Sequence, residues 1–488
     1  PIKITGNASF FPCFQLTSSH LSPSRRRRRR IRRRVGVGYG RSCFYHSTGS
    51  NHVRVGSLID DGENDIQIQQ HSIIDDDVVD DVPYFPIYYN DVYEVDLPPG
   101  HRFPMGKYRK VREAIQAKVG SLTEEEQSQV HCELRVSPLA TEEQLITTHD
   151  SNYVQRYLSG DMTNVENRNI GFPWSHQGVN RTLSSVGGTV AAACAAWEEY
   201  LSRCEQQQQQ IKSQTHKSQQ TTAHLCWGAH VAGGTHHAFR DYGEGFCIFS
   251  DIAVAANVLL QRYSPSSSSS SSSVTSSVSL PSQSQQQQQQ YPPNPTSSPP
   301  TIRRILIIDL DVHQGNGNAA LFATNPAVQT FSMHCSANYF SKRERSDLDV
   351  ELPSGCDDGT YLLTLRHWLK RIEGHSFDDD DADDDADDDQ NNDTQNRKRK
   401  QFDFIFYQSG VDIHANDRLG RLSVTSDGIS KRNAMVFDFA NRMECPLVVC
   451  MGGGYPKGED WTSVIEAHAN VYWEAHRYLA DAHSKIVS

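Results

Sequence analysis

The chain has 488 residues, and several long stretches of it have a composition that does not form a packed core. An Arg run near the start, a Gln run after Cys204, a Ser/Gln/Pro tract and an Asp run all bury too little apolar surface to offset the entropy of ordering them. The net charge of -12 reflects the acidic stretches, and no segment has the basic stripe with interleaved aromatics of a nucleic-acid-binding surface. Eleven scattered Cys without a C-x-x-C pair argue against a disulfide framework and a Cys-ligated zinc site. The sequence contains no apolar run long enough to predict a membrane-spanning helix.

The first 82 residues are predicted to be a disordered N-terminal region. Pro1 to Ser57 contains no Asp or Glu and is rich in Arg, Ser and aromatics, as organelle transit peptides are. This composition favours a mitochondrial or plastid location. The alternative is a basic tail or a nuclear import signal built on Arg25 to Arg34, which would place the protein in the nucleus or cytoplasm.

Ordered structure is predicted to begin near Pro83, with helices in the first half of the ordered chain. The predicted helical segments are the end of Leu97–Gln116, Glu124–Gln127, Thr141–Leu145 and the Ala-rich Val186–Leu201.

Short apolar runs bounded by Gly, Pro or polar residues then predict buried parallel strands. The five runs are Leu225–Val231, Ile305–Ile308, Val328–Met333, Phe402–Tyr407 and Leu447–Cys450. Helical patterns such as Asp251–Leu260 and Thr360–Arg371 lie between them, so the sequence predicts a doubly wound α/β sheet. We interpret the biased tracts as loops extruded from one domain covering 83–482, with insertions at about 204–222, 262–301 and 375–401.

Polar residues follow the end of every predicted strand. In chain order they are His236 and His237; Asp309, Asp311, His313 and Asn316; His334; Asp412; and Tyr455. Ligands of open α/β sheets bind outside the carboxyl ends of the strands. These residues, far apart in sequence, are therefore expected to meet at one site.

Asp311, His313 and Asp412 are the predicted metal ligands. Alternate residues of an extended strand point to the same side, so Asp311 and His313 present a carboxylate and an imidazole together, and Asp412 adds a third ligand. Three protein ligands leave a coordination position for water or substrate, as in catalytic zinc sites. Nitrogen and oxygen donors suit Zn²⁺, with Fe²⁺ as the alternative. A lone D-x-H is more commonly a solvated loop, but the neighbouring motifs favour a metal.

The pair His236–His237 follows a Gly-Gly turn that frees the backbone. Either His alone would ordinarily be a packed or surface residue, whereas two beside a predicted metal suit proton transfer. Asp309 is placed to orient one imidazole, and Asn316 to hold the other in a different charge state.

Tyr455 follows three glycines. They let the backbone bring its hydroxyl towards the metal, where it would stabilise a developing oxyanion. The alternative is a Tyr ring that packs beside a flexible turn.

Taken together, the motifs resemble the zinc-dependent histone deacetylases of the arginase/deacetylase fold. The matching segments are Gly-Gly-Thr-His236-His237-Ala-Phe-Arg, Gly245-Phe246-Cys247, Ile308-Asp-Leu-Asp-Val-His313-Gln-Gly-Asn316-Gly317, Gly410-Val-Asp412 with Asp417-Arg-Leu-Gly-Arg-Leu, and Gly-Gly-Gly-Tyr455. His313-Gln-Gly-Asn316 resembles class IV enzymes and their bacterial homologues. The resemblance covers Val82 to Leu479 and implies a three-layer α/β fold, with a central parallel sheet of eight strands flanked by helices.

The resemblance also implies a role for individual residues in the hydrolysis of acyl-lysine side chains of proteins such as histones. Asp311, His313 and Asp412 correspond to the Zn²⁺ ligands. The catalytic positions are His236, His237 and Tyr455, with Asp309 and Asn316 as partners of the histidines. The substrate-binding positions are Gly245, Phe246, Leu419 and Gly453. Main-chain oxygens near Asp309, Asp311, His313, Ser332 and Met333 correspond to a structural K⁺ site.

Two departures from the family pattern affect what can be expected of the site. Asn316 replaces the Asp of class I relatives, so a lower pKa is expected for His237. The rim Asp of many relatives has no counterpart, and Phe172-Pro173-Trp174 lies in that region. Acetylpolyamines or other small amides therefore remain alternative substrates, and acyl length and oligomeric state are open.

Two other functions would place different demands on the sequence than hydrolysis of an acyl-lysine. A two-metal ureohydrolase would need Asp at Gly315 and Gly410. A non-catalytic acyl-lysine reader would be expected to lack a ligand or Tyr455. Neither expectation fits this sequence.

Overall fold

The computed structural model describes residues 82–212, 225–265, 299–338, 341–374 and 401–487. The N-terminal region up to residue 81 and most of each predicted insertion lie outside the described residues. The Gln run is a partial exception, because helix α6 continues to Lys212. The first part of this run is therefore helical, and the loop predicted from residue 204 is wrong up to that point.

Eight parallel strands form one sheet in the order β2-β1-β3-β8-β7-β4-β5-β6, which confirms the predicted fold class. The strands are β1 (Tyr84–Tyr89), β2 (His131–Val136), β3 (Trp227–Val231), β4 (Ile305–Asp309), β5 (Val328–Cys335), β6 (Leu348–Leu352), β7 (Phe404–Gln408) and β8 (Leu447–Cys450). The five strands predicted from apolar runs are the contiguous central ones. The three that were missed, β1, β2 and β6, lie at the two sides of the sheet.

Helices cover both faces of this sheet. They are α1 (Lys107–Gly120), α2 (Glu124–Gln127), α3 (Glu142–Ile146), α4 (Ser151–Ser159), α5 (Asn164–Ile170), α6 (His176–Lys212), α7 (Asp251–Tyr263), α8 (Asn316–Phe322), α9 (Asp358–Gly374), α10 (Ser426–Arg442) and α11 (Thr462–Val487). None of the described helices is long and apolar enough to cross a bilayer.

The alternation of side chains along β4 shows how two cores arise. Ile305 and Ile307 pack into the core under α4, α6 and α7, whereas Leu306 and Ile308 pack into the core under α1, α9, α10 and α11. A strand buried on both faces must be apolar at every position, because successive side chains point to opposite sides. This requirement makes the central strands recognisable as continuous apolar runs.

The register of the central strands positions the site. Asp309, the last residue of β4, pairs with Gln408 of β7 on one side and Ser332 of β5 on the other. The segments that follow β4 and β7 therefore leave the sheet side by side. Asp311, His313 and Asp412 lie on these two segments.

Candidate active site

Asp311, His313 and Asp412 converge at the carboxyl edge of the sheet, as predicted. One potential ligand atom from each residue lies within 4.8 Å of the other two, and all three side chains are buried. His313 Nδ1 is 3.2 Å from Asp311 Oδ1 and 3.3 Å from Asp412 Oδ2. The predicted meeting of three distant side chains is thus present in the structure.

Backbone N–H groups hold the two carboxylates in place. The Gly453 N–H donates to Asp311 Oδ2 at 2.6 Å, and the Val312 N–H donates to Asp412 Oδ1 at 2.9 Å. Asp412 Oδ2 is buried and accepts no hydrogen bond of good geometry from the described residues, although His313 Nδ1 lies at an ion-pair distance of 3.3 Å. Burial, reinforced by the charge of Asp311, raises the pKa of Asp412 to about 7.

The donor set fits a divalent cation. A buried carboxylate oxygen without a partner is costly, and a cation between two carboxylates and an imidazole would satisfy it. Nitrogen and oxygen donors of this kind are those of catalytic zinc sites.

Close packing around the cluster requires glycine at three positions. A Cβ at Gly453 would lie 2.0 Å from Asp412 Oδ2, and one at Gly410 would lie 2.4 Å from Asp311 Oδ2. A Cβ at Gly315 would lie 2.3 Å from Asp309 Oδ2. The two positions where a ureohydrolase would place further Asp ligands therefore have no room for a side chain in this backbone.

The loop that carries His236 and His237 depends on two glycines in the left-handed region. Gly233 has φ +76° and Gly234 has φ +68°, conformations that L side chains rarely adopt. Asp251, the first residue of α7, accepts from the Thr235 N–H at 2.8 Å and from its hydroxyl at 2.7 Å. These contacts fix the residue immediately before the histidine pair.

His236 has a carboxylate partner. Its Nδ1 lies 2.7 Å from Asp309 Oδ2. Burial acts to lower its pKa, but the charges of Asp309 and Asp311 outweigh burial and raise the pKa of His236 to about 9. The two carboxylates therefore favour the protonated form of this imidazole.

His237 has an amide partner, and its surroundings favour the neutral imidazole. Its Nδ1 lies 2.7 Å from Asn316 Oδ1, and Asn316 Nδ2 donates to Glu244 Oε1 at 2.7 Å, an arrangement that turns the amide oxygen towards His237. Burial, followed by the charges of His236 and His313, lowers the pKa of His237 well below its usual value. The hydrogen bond to Asn316 itself acts to raise the pKa of His237, so the lowering comes from burial and the two neighbouring charges.

A cleft of about 420 Å³ leads from the surface to this site. The predicted site residues that line it are His237, Gly245, Phe246, His313, Leu419 and Tyr455. The Gly453 N–H donates to Asp311, and the role predicted for this residue in substrate binding stays a prediction.

Tyr455 is held at the wall of the cleft through its backbone. Its N–H donates to Asp417 Oδ2 at 2.5 Å. The Lys107 ammonium lies 5.2 Å from the centre of its ring and donates to the Gly454 carbonyl at 3.2 Å. Burial, and then the charges of Asp412 and Asp311, raise the pKa of Tyr455 well above its usual value. The hydroxyl is thus kept as a proton donor.

The opposite wall is built around Phe246. This residue has φ +69°, a strained conformation that places its ring 5.0 Å from Phe103 and 5.2 Å from Phe172 between ring centres. Strain of this kind costs about 1–3 kcal/mol and is typically retained at binding and catalytic sites. Its N–H donates to the Ile170 carbonyl at 2.7 Å, which anchors the wall to α5.

Sequence reasoning missed several polar residues around the site. Asn338 Nδ2 lies 3.1 Å from His313 Nε2. Gln314 Nε2 donates to the Glu344 carbonyl at 2.6 Å and to Asp349 Oδ1 at 2.7 Å, and these bonds hold the neighbouring loop in place. Glu244 immediately precedes the recognised Gly245-Phe246 motif, but nothing in the local sequence showed that its carboxylate reaches Asn316.

Comparison with known proteins agrees with the geometry. A family model described as the histone deacetylase domain matches residues 101–267, 297–379 and 394–472. The two gaps between the matched segments fall within the Ser/Gln/Pro tract and the Asp-rich tract.

Individual relatives give the same result. An uncharacterized protein of Picosynechococcus sp. is 33% identical over 76% of this chain and 93% of its own length. Histone deacetylase 2 of Arabidopsis thaliana is 28% identical over 47% of this chain and 45% of its own length. The acetoin utilization protein AcuC of Bacillus subtilis is 24% identical over 69% of each. The chain therefore belongs to the histone deacetylase family and is a hydrolase.

Proposed function

We propose that this chain is a Zn²⁺-dependent deacylase that hydrolyses the side-chain amide of acyl-lysine, with acetyl-lysine as the simplest substrate. The observation that carries the proposal is the buried Asp311–His313–Asp412 cluster at the end of a cleft that His237 and Tyr455 also line. Family membership supports the reaction class.

The three residues would hold Zn²⁺, or Fe²⁺ as the alternative, through two carboxylates and one imidazole. The buried Asp412 Oδ2, which accepts no hydrogen bond from the described residues, supports this assignment. The bound ion would supply Lewis acidity for the acyl carbonyl and lower the pKa of water.

His237 carries out both proton transfers, and His236 acts through its charge. With the Nδ1 hydrogen of His237 donated to Asn316 Oδ1, its Nε2 carries the lone pair that accepts a proton from the attacking water. The same imidazole then returns that proton to the departing lysine amine. His236 stays protonated beside Asp309 and contributes positive charge next to the reacting carbonyl.

Tyr455 completes the site as a hydrogen-bond donor. Its hydroxyl remains protonated and would donate to the oxyanion that develops on the substrate carbonyl. The Gly452–Gly454 segment, fixed through the Gly453 N–H and carbonyl, sets where that hydroxyl lies.

Activity on a neutral acyl-lysine tests this proposal directly. The full chain would be loaded with Zn²⁺ and assayed with fluorogenic acyl-lysine substrates of increasing acyl length. We expect hydrolysis that stops with a hydroxamate or a chelator and returns when Zn²⁺ is added back. Binding of the acyl-lysine without release of the acid would instead support a non-catalytic reader.

Three further assignments remain proposals. Class IV membership rests on His313-Gln-Gly-Asn316. The K⁺ site rests on the resemblance, and elemental analysis of the purified protein would detect the ion. The organelle location rests on the composition of residues 1–82, which lie almost entirely outside the described residues. A fusion of this region to a fluorescent protein should accumulate in mitochondria or plastids, whereas nuclear signal would support the import-signal alternative.

A further inference from the structure

Arginine dominates the charged residues at the mouth of the cleft. Four Arg side chains, all on exposed residues, line it together with the active-site residues, and no described Asp or Glu does. The four are Arg102, Arg168, Arg418 and Arg421. They come from three separate parts of the chain: the segment before α1, the end of α5 and the loop after β7.

These guanidinium groups have no ion-pair partner among the described residues, because the nearby carboxylates are engaged elsewhere. Glu166, on the same helix as Arg168, pairs with Arg156 Nη1 at 2.8 Å. Glu244 accepts from Asn316 Nδ2 and from the Ser341 hydroxyl, each at 2.7 Å. The positive charge at the mouth is therefore not neutralised by the wall behind it.

The same holds beside Arg418. The adjacent carboxylate, Asp417, is buried and accepts from the N–H groups of Leu419 and Gly420, each at 2.7 Å. Both of its oxygens accept from backbone N–H groups that shape the loop, and it forms no ion pair with a guanidinium group at the rim.

Two of the arginines are anchored in a way that keeps donors available. Arg418 Nη2 donates to the Arg102 carbonyl at 2.7 Å, and Arg421 Nη1 donates to the Ala337 carbonyl at 2.8 Å. A guanidinium group has five N–H donors, so a single bond to a carbonyl leaves most of them for a carboxylate. The anchoring fixes the position of the charge at the rim without consuming it.

The charges at the mouth do not serve the reaction at the floor, because the acyl-lysine side chain that enters the cleft is neutral. They act on the residues that flank it. Like charges around one opening attract anionic partners and repel cationic ones, at a range set by the ionic strength. We infer that the arginine mouth selects acyl-lysine flanked by acidic residues and disfavours basic segments, including histone tails, and cationic acetylpolyamines. This inference rests on the proposed deacylase function.

The test uses three peptides of equal length with a central acetyl-lysine flanked by Glu, Gln or Lys. The Zn²⁺-loaded full chain should show kcat/KM in the order Glu, Gln, Lys, with steps on the order of tenfold at low ionic strength. The differences should shrink in high salt, since the Debye length falls from about 30 Å at 0.01 M to about 3 Å at 1 M. Acetylspermidine should be a poorer substrate than the Gln peptide.

A double substitution, Arg102→Gln with Arg168→Gln, removes charge from two side chains that hydrogen-bond to no described residue. It should lower the ratio of kcat/KM for the Glu and Gln peptides several-fold, towards one. The single change Arg168→Glu should lower the same ratio further. Arg366→Gln is the matched control, because Arg366 is exposed on α9 and does not line the cleft. It should keep the wild-type ratio.

The outcomes separate this inference from the proposed function. Hydrolysis of all three peptides at equal rates, or a preference that the Arg102 and Arg168 changes leave intact, would overturn the inference and leave the deacylase function standing. If the Zn²⁺-loaded chain hydrolyses none of the peptides, the proposed function falls, and the inference falls with it.

Discussion

In the part of the chain that the structure describes, charged groups are paired at the floor of the cleft, where the predicted metal ligands and His236 lie, and unpaired at its mouth, where the four arginines lie. At the floor, each charged group faces a counterpart: His236 faces Asp309, and His313 faces Asp311 and Asp412. At the mouth, the four guanidinium groups have no carboxylate partner among the described residues. The floor groups are buried, whereas the mouth arginines are exposed.

This difference separates chemistry from substrate choice. Buried groups are fixed by packing and by backbone N–H donors, so their charge states are set by the protein. Exposed charges are screened by salt and act mainly on the approach and orientation of a partner. Changes at the floor should therefore affect turnover and folding, and changes at the mouth should affect selectivity alone.

The largest expected effect is at the floor, from Asp412→Asn. This nearly isosteric change removes one negative charge from the proposed metal site. We expect the purified variant to lose most of the zinc that the wild-type chain retains after dialysis, and kcat/KM to fall by about a thousandfold or more.

Elemental analysis and a fluorogenic assay measure the two effects. Asp427→Asn is the control, because Asp427 is an exposed residue on α10 paired with Lys431. Full zinc content in the Asp412 variant would remove Asp412 from the metal site.

The next effect concerns the oxyanion donor. Tyr455→Phe removes one hydroxyl and leaves the ring that packs near Phe246. We expect kcat to fall by about 10²–10³-fold, the usual consequence of losing one donor to a developing oxyanion, with zinc content unchanged. Tyr242→Phe, at an exposed tyrosine, should have no effect. A kcat within twofold of wild type would assign Tyr455 to packing.

A third effect tests how the stability of the fold around the Phe246 wall depends on pH. His149 is buried, with Nδ1 donating to the Phe239 carbonyl and Nε2 accepting from the Ser250 N–H, each at 2.9 Å. These bonds pin both ends of the segment that contains Phe246. Burial lowers the pKa of His149 to about 4, so the folded protein holds the neutral form.

The sign of the pH dependence follows from this shift. Because the folded pKa lies below the unfolded value of about 6.5, the stabilisation is complete above that value and is lost as the pH falls towards 4. The loss amounts to at most about 3 kcal/mol. His149→Gln does not titrate, so the difference in free energy of unfolding between wild type and variant should shrink between pH 7 and 4.5. A constant difference across that range, measured by urea denaturation, would contradict this account.

The sequence predicted the floor better than the mouth, for a physical reason. The central strands are buried on both faces, so their apolar runs are visible, and the parallel topology brings their ends together. The meeting of Asp311, His313 and Asp412 follows from that topology alone. β2 and β6 were missed because their patterns are mixed: no residue of β2 is buried, and the buried residues of β6 alternate with exposed ones.

Contacts between loops were outside the reach of sequence patterns. The bond from Asn316 to Glu244 joins residues 72 positions apart, and no periodicity relates them. Arg102, Arg168 and Arg421 share a rim through loop conformation, which no local motif encodes. Gly453 was assigned to substrate by its place in a motif, and the motif did not show that its N–H holds Asp311.

The smallest expected effect comes from replacing one Arg with Gln at the mouth of the cleft, and it contrasts with the same replacement behind the floor. Arg168→Gln at the mouth removes a side chain that hydrogen-bonds to no described residue, so the free energy of unfolding should change by less than about 0.5 kcal/mol. Arg432 is fully buried behind the floor, where Nη1 donates to the Gly410 carbonyl at 2.5 Å. Arg432→Gln would leave buried carbonyls unsatisfied and should cost more than about 2 kcal/mol. Urea denaturation of both variants measures the contrast. Equal losses would mean that the mouth arginines also support the fold, and the division between the two ends of the cleft would not hold.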